Sequence, residues 1–464
     1  MSRLTATRKA IWLRFFLLFI VCRIPYWIWL YPCCLYGDTN SSIEQYMGFP
    51  DLSVQLATTD PTVQFCNHIP FFQTLLYGWT FQLGNWIGSQ NLAFFLFVVV
   101  QSTAYAYILA HIMLLLYRKK VKRKWITGIA ICYALFPVYS VWITAVVKDS
   151  VFSLLTLVLS YQLVVIAWTN GRILHRWKFN GMLFLTLFFY MLSKNQCVYL
   201  VILTMLFVGW FHGRKYPRLF LPFLGALCCF QIGWLHGVLP LCKVAPVGKQ
   251  EIHGTLFQQT ARFVIDHPES VTPHERAVIN ALLPYDSLKM LYNPTLQDPV
   301  KFNYRRDASD AIYAQYYRVW MAQGLRHPES YLRAISDCCD AYFYPSARYP
   351  VCYPSLVTNN AEFPGLYSMK PLVSRDRSGF SGILRIPVLS LFFDMGFYNW
   401  ILIGLLVYFT IKRNKQAWLV CFPGFLSLLV LIPSPMNGCF RYVMPIVWAL
   451  PLYMACVPLF QRSE

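Results

Sequence analysis

Arg118-Lys119-Lys120-Val121-Lys122-Arg123-Lys124, six basic residues in seven, closes an apolar run over 91–117. A run of that length crosses a hydrocarbon layer of about 30 Å. Lys and Arg collect on the cytoplasmic side of membrane spans, so the septet lies inside and the rest of the chain can be threaded outward from it in both directions.

Upstream, residues 32–70 contain no Lys or Arg but do contain Asp38, Glu44, Asp51 and Asp60, which puts that loop outside. Before it runs an apolar stretch, 11–31, behind Arg3, Arg8 and Lys9. No small-residue cleavage site follows, which predicts an uncleaved signal anchor. Downstream, apolar runs are predicted to span at 125–146, 151–168, 179–193, 196–211 and 219–240, then at 386–410 and on either side of an outer turn, 434–442. The N-terminus and the short inner loops of this threading hold 18 Lys or Arg. The short outer loops hold three: Lys148, Lys194 and Arg441. The long segment 241–385 is also basic, but long domains translocate largely regardless of charge.

The fold expected is therefore an all-α polytopic membrane protein of about ten transmembrane helices in the plasma membrane, with both termini cytoplasmic. Residues 1–240 form an N-terminal membrane module of about seven spans, with 32–90 as its first outer loop. Residues 241–385 form an extracytoplasmic helical segment, and 386–464 a C-terminal membrane module of about three spans. Within the outer segment, Thr272-Pro273-His274-Glu275 reads as a capping box with Pro at the first helical position. Two further helices are predicted over 306–326 and 328–344. His-Pro-Glu-Ser occurs twice, at 267–270 and 327–330, and reads as a recurrent helix start.

Composition agrees. Across 464 residues, 57% are hydrophobic and 13% charged, and the mean hydropathy of +0.44 lies far outside the soluble range. The net charge of +20 resides in loops between apolar runs, as topology signals do, which argues against nucleic acid as a partner. Eight of the 15 cysteines (Cys33, Cys34, Cys66, Cys242, Cys338, Cys339, Cys352, Cys439) fall outside, where chemistry permits a disulfide. Walker loops, Gly-x-Ser-x-Gly, His-Glu-x-x-His and Cys-x-x-Cys are all missing, which disfavours a nucleotide-driven cytoplasmic enzyme.

Function is sought among the outward charges, since ionisable groups at a membrane boundary are costly. Asp38, in Tyr36-Gly37-Asp38-Thr39-Asn40, is placed to act as a general base towards a lipid-borne substrate, with Glu44 six residues on. His68 leads an amphipathic aromatic stretch, 68–78, that is expected to lie in the interface. A single loop acid is as often only a solvated surface group, and a single His is usually structural. Lys148, Lys194 and Arg441, each at the outer end of a span, are suited to a shared anionic ligand; snorkelling to headgroups is the ordinary alternative for any one of them. Asp149 can neutralise Lys148, and Asn195 can add an amide beside Lys194. Gln258 and Arg262 share a helix face by their i, i+4 spacing, which suits a sugar or phosphate contact or a plain surface hydrogen bond. Arg23, too deep to snorkel, is expected to pair inside the bundle.

This layout resembles the GT-C superfamily of integral membrane glycosyltransferases, on Asp38 after the first span, His-Ile-Pro and Leu-Leu-Tyr-Gly over 68–78, Lys148-Asp149, Lys194-Asn195 and Arg441-Tyr442. It is similar to GT-C-like membrane proteins of Gram-positive bacteria in a Gln-Gln-x-x-Arg stretch, Gln258, Gln259 and Arg262. The resemblance implies inverting transfer of a sugar from a polyprenyl-phosphate donor to a cell-envelope glycan or lipid at the outer face. It assigns Asp38, Glu44 and His68 to catalysis. To the donor phosphate it assigns Lys148, Asp149, Lys194, Asn195, Gln258, Gln259, Arg262 and Arg441. Members of the superfamily pair adjacent acids or Asp-x-Asp, whereas Thr39 and Asn40 follow Asp38 here. A divalent metal bridging two loop acids thus lacks its usual motif and would need Glu44 to fold back. Rival readings are an envelope polysaccharide polymerase or ligase, a lipid-linked saccharide transporter or flippase, and a non-catalytic scaffold.

Overall fold

The structure, a computed structural model, describes residues 2–344, 363, 366–372, 386 and 390–460, with side chains from residue 7 onward. Cys352, the remainder of 345–389 and most of the expected onset of the span at 386 lie outside the described residues.

Helix dominates. α1 (Ser2–Val21) and α2 (Ile24–Trp29) are separated at Cys22-Arg23. The segment before the next long helix holds β1 (Cys34–Leu35), α3 (Gly37–Met47), α4 (Leu52–Ala57), β2 (Phe65–Cys66) and α5 (Phe71–Ile87). Then follow α6 (Gln90–Arg118), α7 (Arg123–Leu135), α8 (Pro137–Trp142), β3 (Ala145–Val146) and α9 (Lys148–Trp168). α10 (Trp177–Ser193), α11 (Cys197–His212) and α12 (Phe220–Cys228) come next, the last continued by a π-helical stretch and α13 (Leu239–Leu241). After β4 (Val244–Ala245) the outer layer comprises α14 (Lys249–Asp266), α15 (Pro273–Asn280), α16 (Leu288–Leu291), α17 (Asp298–Lys301), α18 (Asp310–Arg326) and α19 (Pro328–Phe343). The chain ends with α20 (Met395–Ile411), α21 (Lys415–Leu431) and α22 (Met444–Leu459).

Among the described residues, four helical stretches are long and apolar enough to cross a membrane: Thr7–Trp29, Gln90–Arg118, Lys148–Trp168 and Pro217–Leu241. Shorter apolar helices are Cys197–His212, Met395–Ile411, Lys415–Leu431 and Met444–Leu459. α10 and α11, of 17 and 16 residues, reach only about 25 Å at 1.5 Å per residue. The stretch 125–146 is not one continuous span. Pro137 ends α7 at Phe136, which is extended (φ −69°, ψ 121°), because the residue before a proline is driven out of the α region. The chain restarts as the six-residue α8 and then straightens into β3.

α9 is the hub of the bundle, packing against α6, α10, α21 and α22. Its few polar side chains are answered there: Ser160 Oγ lies 2.9 Å from the Tyr453 hydroxyl, and Gln162 donates to Thr186 Oγ1 at 2.9 Å. Arg23, fully buried at the α1–α2 break, finds no acid among the described residues. Its guanidinium donates to the carbonyls of Phe19 (2.9 Å) and Tyr133 (3.2 Å), which the interrupted helix and α7 leave within reach.

The outer layer closes its own core around Phe257, Ile279, Leu283 and Tyr316. Its helix starts follow from local chemistry. The capping box at Thr272 and Glu275 forms, Ser309 caps α18, and Pro328 opens α19. This layer also grips the turn between α21 and α22. Gln297 donates through its backbone to the Pro435 carbonyl (2.9 Å) and through its amide to the Ser434 carbonyl (3.1 Å). Asn437 returns bonds to the Thr295 carbonyl (2.9 Å) and the Asp337 carbonyl (2.8 Å).

α3 and α5 touch through Gly78. A Cβ there would stand 2.1 Å from Tyr46 Cγ, too deep in the ring's root for a rotamer change to relieve. Gly78→Ala is expected to lower unfolding stability by about 1–3 kcal/mol, the usual cost of overpacking. Thermal unfolding in detergent checks it, and an unchanged midpoint would show that α3 and α5 do not approach so closely.

Candidate active site

Two short parallel strand pairs deliver the site residues. In the first, β1 pairs with β3 in the register Cys34↔Ala145 and Leu35↔Val146. A helix leaves each strand: α3 after β1, with Asp38 in its first turn, and α9 after β3, with Lys148 and Asp149 in its first turn. Acids are favoured there by the helix dipole. The ladder is clamped sideways by Gln101 of α6, whose amide donates to the carbonyls of Ile143 (2.7 Å) and Ala145 (3.1 Å). Thr39 Oγ1 donates to the Val146 carbonyl at 2.5 Å, tying α3 directly to the partner strand.

This register brings the Lys148 ammonium to 2.8 Å from Asp38 Oδ2. Arg441, on the turn between α21 and α22, places Nη1 at 2.8 Å from the same oxygen. Its Nε lies 3.8 Å from Asp149 Oδ2, while Asp149 Oδ1 accepts from Lys194 Nζ at 2.7 Å. The Asp149 side chain is wholly buried, and those of Asp38, Lys148, Lys194 and Arg441 are at most 19% exposed. Lys194 Nζ also stands about 5 Å from the rings of Phe152 (5.2 Å) and Tyr442 (5.1 Å). Three formal cations thus face two carboxylates in one buried group, leaving one positive charge in excess.

The second ladder joins β2 to β4, Phe65↔Val244 and Cys66↔Ala245, and is extended by the Asn67 N–H donating to the Ala245 carbonyl at 2.9 Å. His68 leaves one strand, and α14, with Glu251 in its first turn, follows the other. His68 Nδ1 lies 3.8 Å from Glu251 Oε1, and Lys301 Nζ bonds Glu251 Oε2 at 2.9 Å while also meeting Asp298. The dipeptide Lys194-Asn195 joins the two halves. Lys194 holds Asp149, and the Asn195 amide donates to the Asn67 carbonyl (2.7 Å) and accepts from the Asn67 amide (3.3 Å).

Charge environment sets the proton states. Burial alone would raise the Asp38 carboxyl, but the Lys148 and Arg441 charges outweigh it and hold the group well below the usual carboxylate range. Burial lowers His68, the Lys148 charge lowers it further, and Glu251 and Asp38 only partly compensate. Its imidazole is therefore neutral at pH 7, able to take a proton.

On α5, Gln73, Thr74 and Tyr77 are buried, yet the side-chain polar atoms of all three lack a hydrogen-bond partner among the described residues. Tyr77 is within electrostatic reach of both Asp149 and Asp38. Buried polar groups are ordinarily satisfied, so this row is open to a hydrogen bond from a ligand or water.

Residues 55–463 match a family described as a family of unknown function, DUF6020. The chain belongs to the DUF6020 family. No curated protein and no solved structure matches it. The DUF6020 match takes in His68, Lys148, Lys194, Glu251 and Arg441 and begins after Asp38.

Of the residues singled out in the sequence, Asp38, His68, Lys148, Asp149, Lys194, Asn195 and Arg441 converge in this DUF6020 chain. Glu44 does not fold back. Six residues along α3 from Asp38 it sits about 120° round the helix, buried near Tyr367. Gln258 donates to the Asn293 carbonyl (2.6 Å), Gln259 accepts from Trp320 (3.1 Å), and Arg262 pairs with Asp266 (2.8 Å) and Asp337 (3.4 Å). Those three serve the outer layer's own packing. Glu251 and Lys301 escaped the sequence reading. Glu251 is the first acid after the 219–240 run, as Asp38 is after the first, and that parallel was the available signal. Among the described outer cysteines, Cys66, Cys242, Cys338, Cys339 and Cys439 are free thiols.

Lys194→Met would strand the Asp149 carboxylate in the interior with only Arg441 near it. A loss of about 3–5 kcal/mol is expected. Adding Asp149→Asn should recover more than half of it, measured as a double-mutant cycle in thermal or denaturant unfolding; additive losses would break the assigned pairing.

Proposed function

We propose that this protein is a multi-pass plasma-membrane glycosyltransferase that moves a sugar from a polyprenyl-phosphate donor to a cell-envelope acceptor. Transfer takes place at the outer face and inverts the anomeric centre, on a GT-C-like frame of about ten spans with cytoplasmic termini. The observation that carries the reading is the convergence of Lys148, Lys194 and Arg441 from three distant parts of the chain on Asp38 and Asp149. Surface snorkelling does not account for cations that are mostly buried and mutually shared.

The chemistry follows from the charges. A phosphodiester carries one negative charge, which the excess positive charge of the cluster neutralises. A diphosphate-linked donor would overshoot it, which favours a monophosphate transferase over a polymerase or ligase. As the donor phosphate engages Lys148 and Arg441, it competes with Asp38 for both. A carboxylate relieved of two cations becomes a stronger base. Asp38 then takes the proton from the acceptor hydroxyl while that oxygen bonds to the anomeric carbon. The bond from that carbon to the phosphate oxygen breaks, and its electron pair leaves with polyprenyl phosphate, held by the basic groups. Gln73, Thr74 and Tyr77 supply hydrogen bonds to sugar hydroxyls. His68, beside Glu251, receives the proton onward.

In nanodiscs with a polyprenyl-phosphate sugar, Asp38→Asn is expected to cut transfer by about 10²–10⁴-fold. Gln73→Leu should raise KM for the donor with little change in unfolding midpoint. Retained transfer by Asp38→Asn would remove its role as base, and failure of every lipid-monophosphate sugar, with activity on a diphosphate donor, would replace this reading with the polymerase.

The pH dependence has a definite sign. With its folded carboxyl held below the ordinary 3.8, Asp38 contributes ion-pair stability above that value and loses it only as pH falls lower still. In the protein without donor it therefore gives no limb between pH 5 and 8. His68, lowered from 6.5, binds protons less readily folded than unfolded, so stability and proton acceptance both decline as pH falls below 6.5. The acid limb of transfer should lie there and flatten in His68→Gln; an unchanged limb would assign it elsewhere.

A further inference from the structure

The two His-Pro-Glu-Ser stretches lie apart from the transfer site, in the outer layer, and the fold sets them against each other. His267 ends α14 and His327 ends α18, in the same backbone conformation (φ −135°, ψ 57° and φ −135°, ψ 69°). Their imidazoles stack with centroids 3.7 Å apart. Glu329 of the second stretch reaches across both. Its Oε1 lies 3.3 Å from His267 Nε2 and 3.0 Å from His327 Nδ1, and the three ligand atoms fall within 4.8 Å of one another.

Two ligands on one tetrahedral zinc ion, each about 2.1 Å from it, stand about 3.4 Å apart. The two spacings to Glu329 match that separation, and the two histidine nitrogens lie within 4.8 Å of each other. Of the remaining ring nitrogens, one is hydrogen-bonded and the other has a carboxylate nearby. His267 Nδ1 faces Glu269 Oε1 at 3.8 Å, and His327 Nε2 meets the Ser270 hydroxyl at 3.4 Å. Such outer partners fix the ring orientation and tautomer of a metal-bound imidazole. The neighbouring cation, Arg326, is committed to Glu275 and to the Ser270 carbonyl. Glu329 is more than half exposed, so the fourth position opens to water.

We propose that His267, His327 and Glu329 form a binding site for a divalent transition-metal ion of the zinc class, which ties the end of α14 to the junction of α18 and α19. Two imidazoles and one carboxylate suit that class of ion. The site staples the outer layer and takes no part in sugar transfer.

Cobalt(II), the spectroscopic stand-in for zinc, distinguishes this site from the chain's many thiols. Titrated into the metal-stripped full-length protein in detergent, one equivalent should give the visible bands of a four-coordinate nitrogen and oxygen site with no thiolate charge-transfer band. Zinc should raise the unfolding midpoint of the stripped protein. Glu329→Gln, at an exposed position that leaves the fold undisturbed, and His267→Asn with His327→Asn should each weaken cobalt affinity by at least about tenfold. Both should also abolish the zinc-induced rise. A thiolate band at the first equivalent, no binding by the wild-type protein, or undiminished affinity in Glu329→Gln would each overturn the assignment.

Discussion

One carboxylate oxygen, Asp38 Oδ2, holds an ammonium and a guanidinium at 2.8 Å each, from residues 110 and 403 positions along the chain. Ionic groups this far out of water repay their desolvation only when the geometry is fixed in advance. What fixes it is backbone. Isolated two-residue strands contribute little by themselves, but here each has a partner that answers otherwise unsatisfied amides at the rim of an apolar bundle. The β1–β3 pair sets Asp38 against Lys148, and the β2–β4 pair sets His68 against Glu251. Lys194-Asn195 then locks one pair to the other. Buried ion pairs of this kind are weak contributors to stability. Under the proposed function their value lies in holding cations ready for an anionic donor.

The path from sequence to this arrangement was partly open. Hydropathy and the placement of Lys and Arg marked most long helices to within a few residues: 91–117 against Gln90–Arg118, and 151–168 against Lys148–Trp168. Capping chemistry found the start of α15, and exclusion from the positive-inside pattern picked out Lys148, Lys194 and Arg441. Proline at 137 is equally visible in the sequence, yet the apolar run continues through it. Hydropathy integrates over a window and does not register one residue's lost N–H or the extended conformation forced on Phe136.

The strand pairs could not have been read in advance. Cys34-Leu35, Phe65-Cys66, Ala145-Val146 and Val244-Ala245 are too short for any periodicity, and their partners lie more than a hundred residues away. Glu251 and Lys301 were hidden for the same reason, since only the β2–β4 register makes Glu251 a neighbour of His68. The Gln-Gln-x-x-Arg stretch shows the converse. Its i, i+4 spacing is correct for one helix face, but that face turns towards the outer layer's own acids.

The turn that carries Arg441 is held from above by Gln297, Thr295 and Asp337 of the outer layer and from below by the helices it connects. The outer layer is consequently not a detachable cap. Removing or exchanging it would free the guanidinium that completes the charged cluster, so the smallest unit able to hold the site includes both layers. Any sequence change in the outer layer has to be accommodated without disturbing residues 434–437. Modularity ends at that turn.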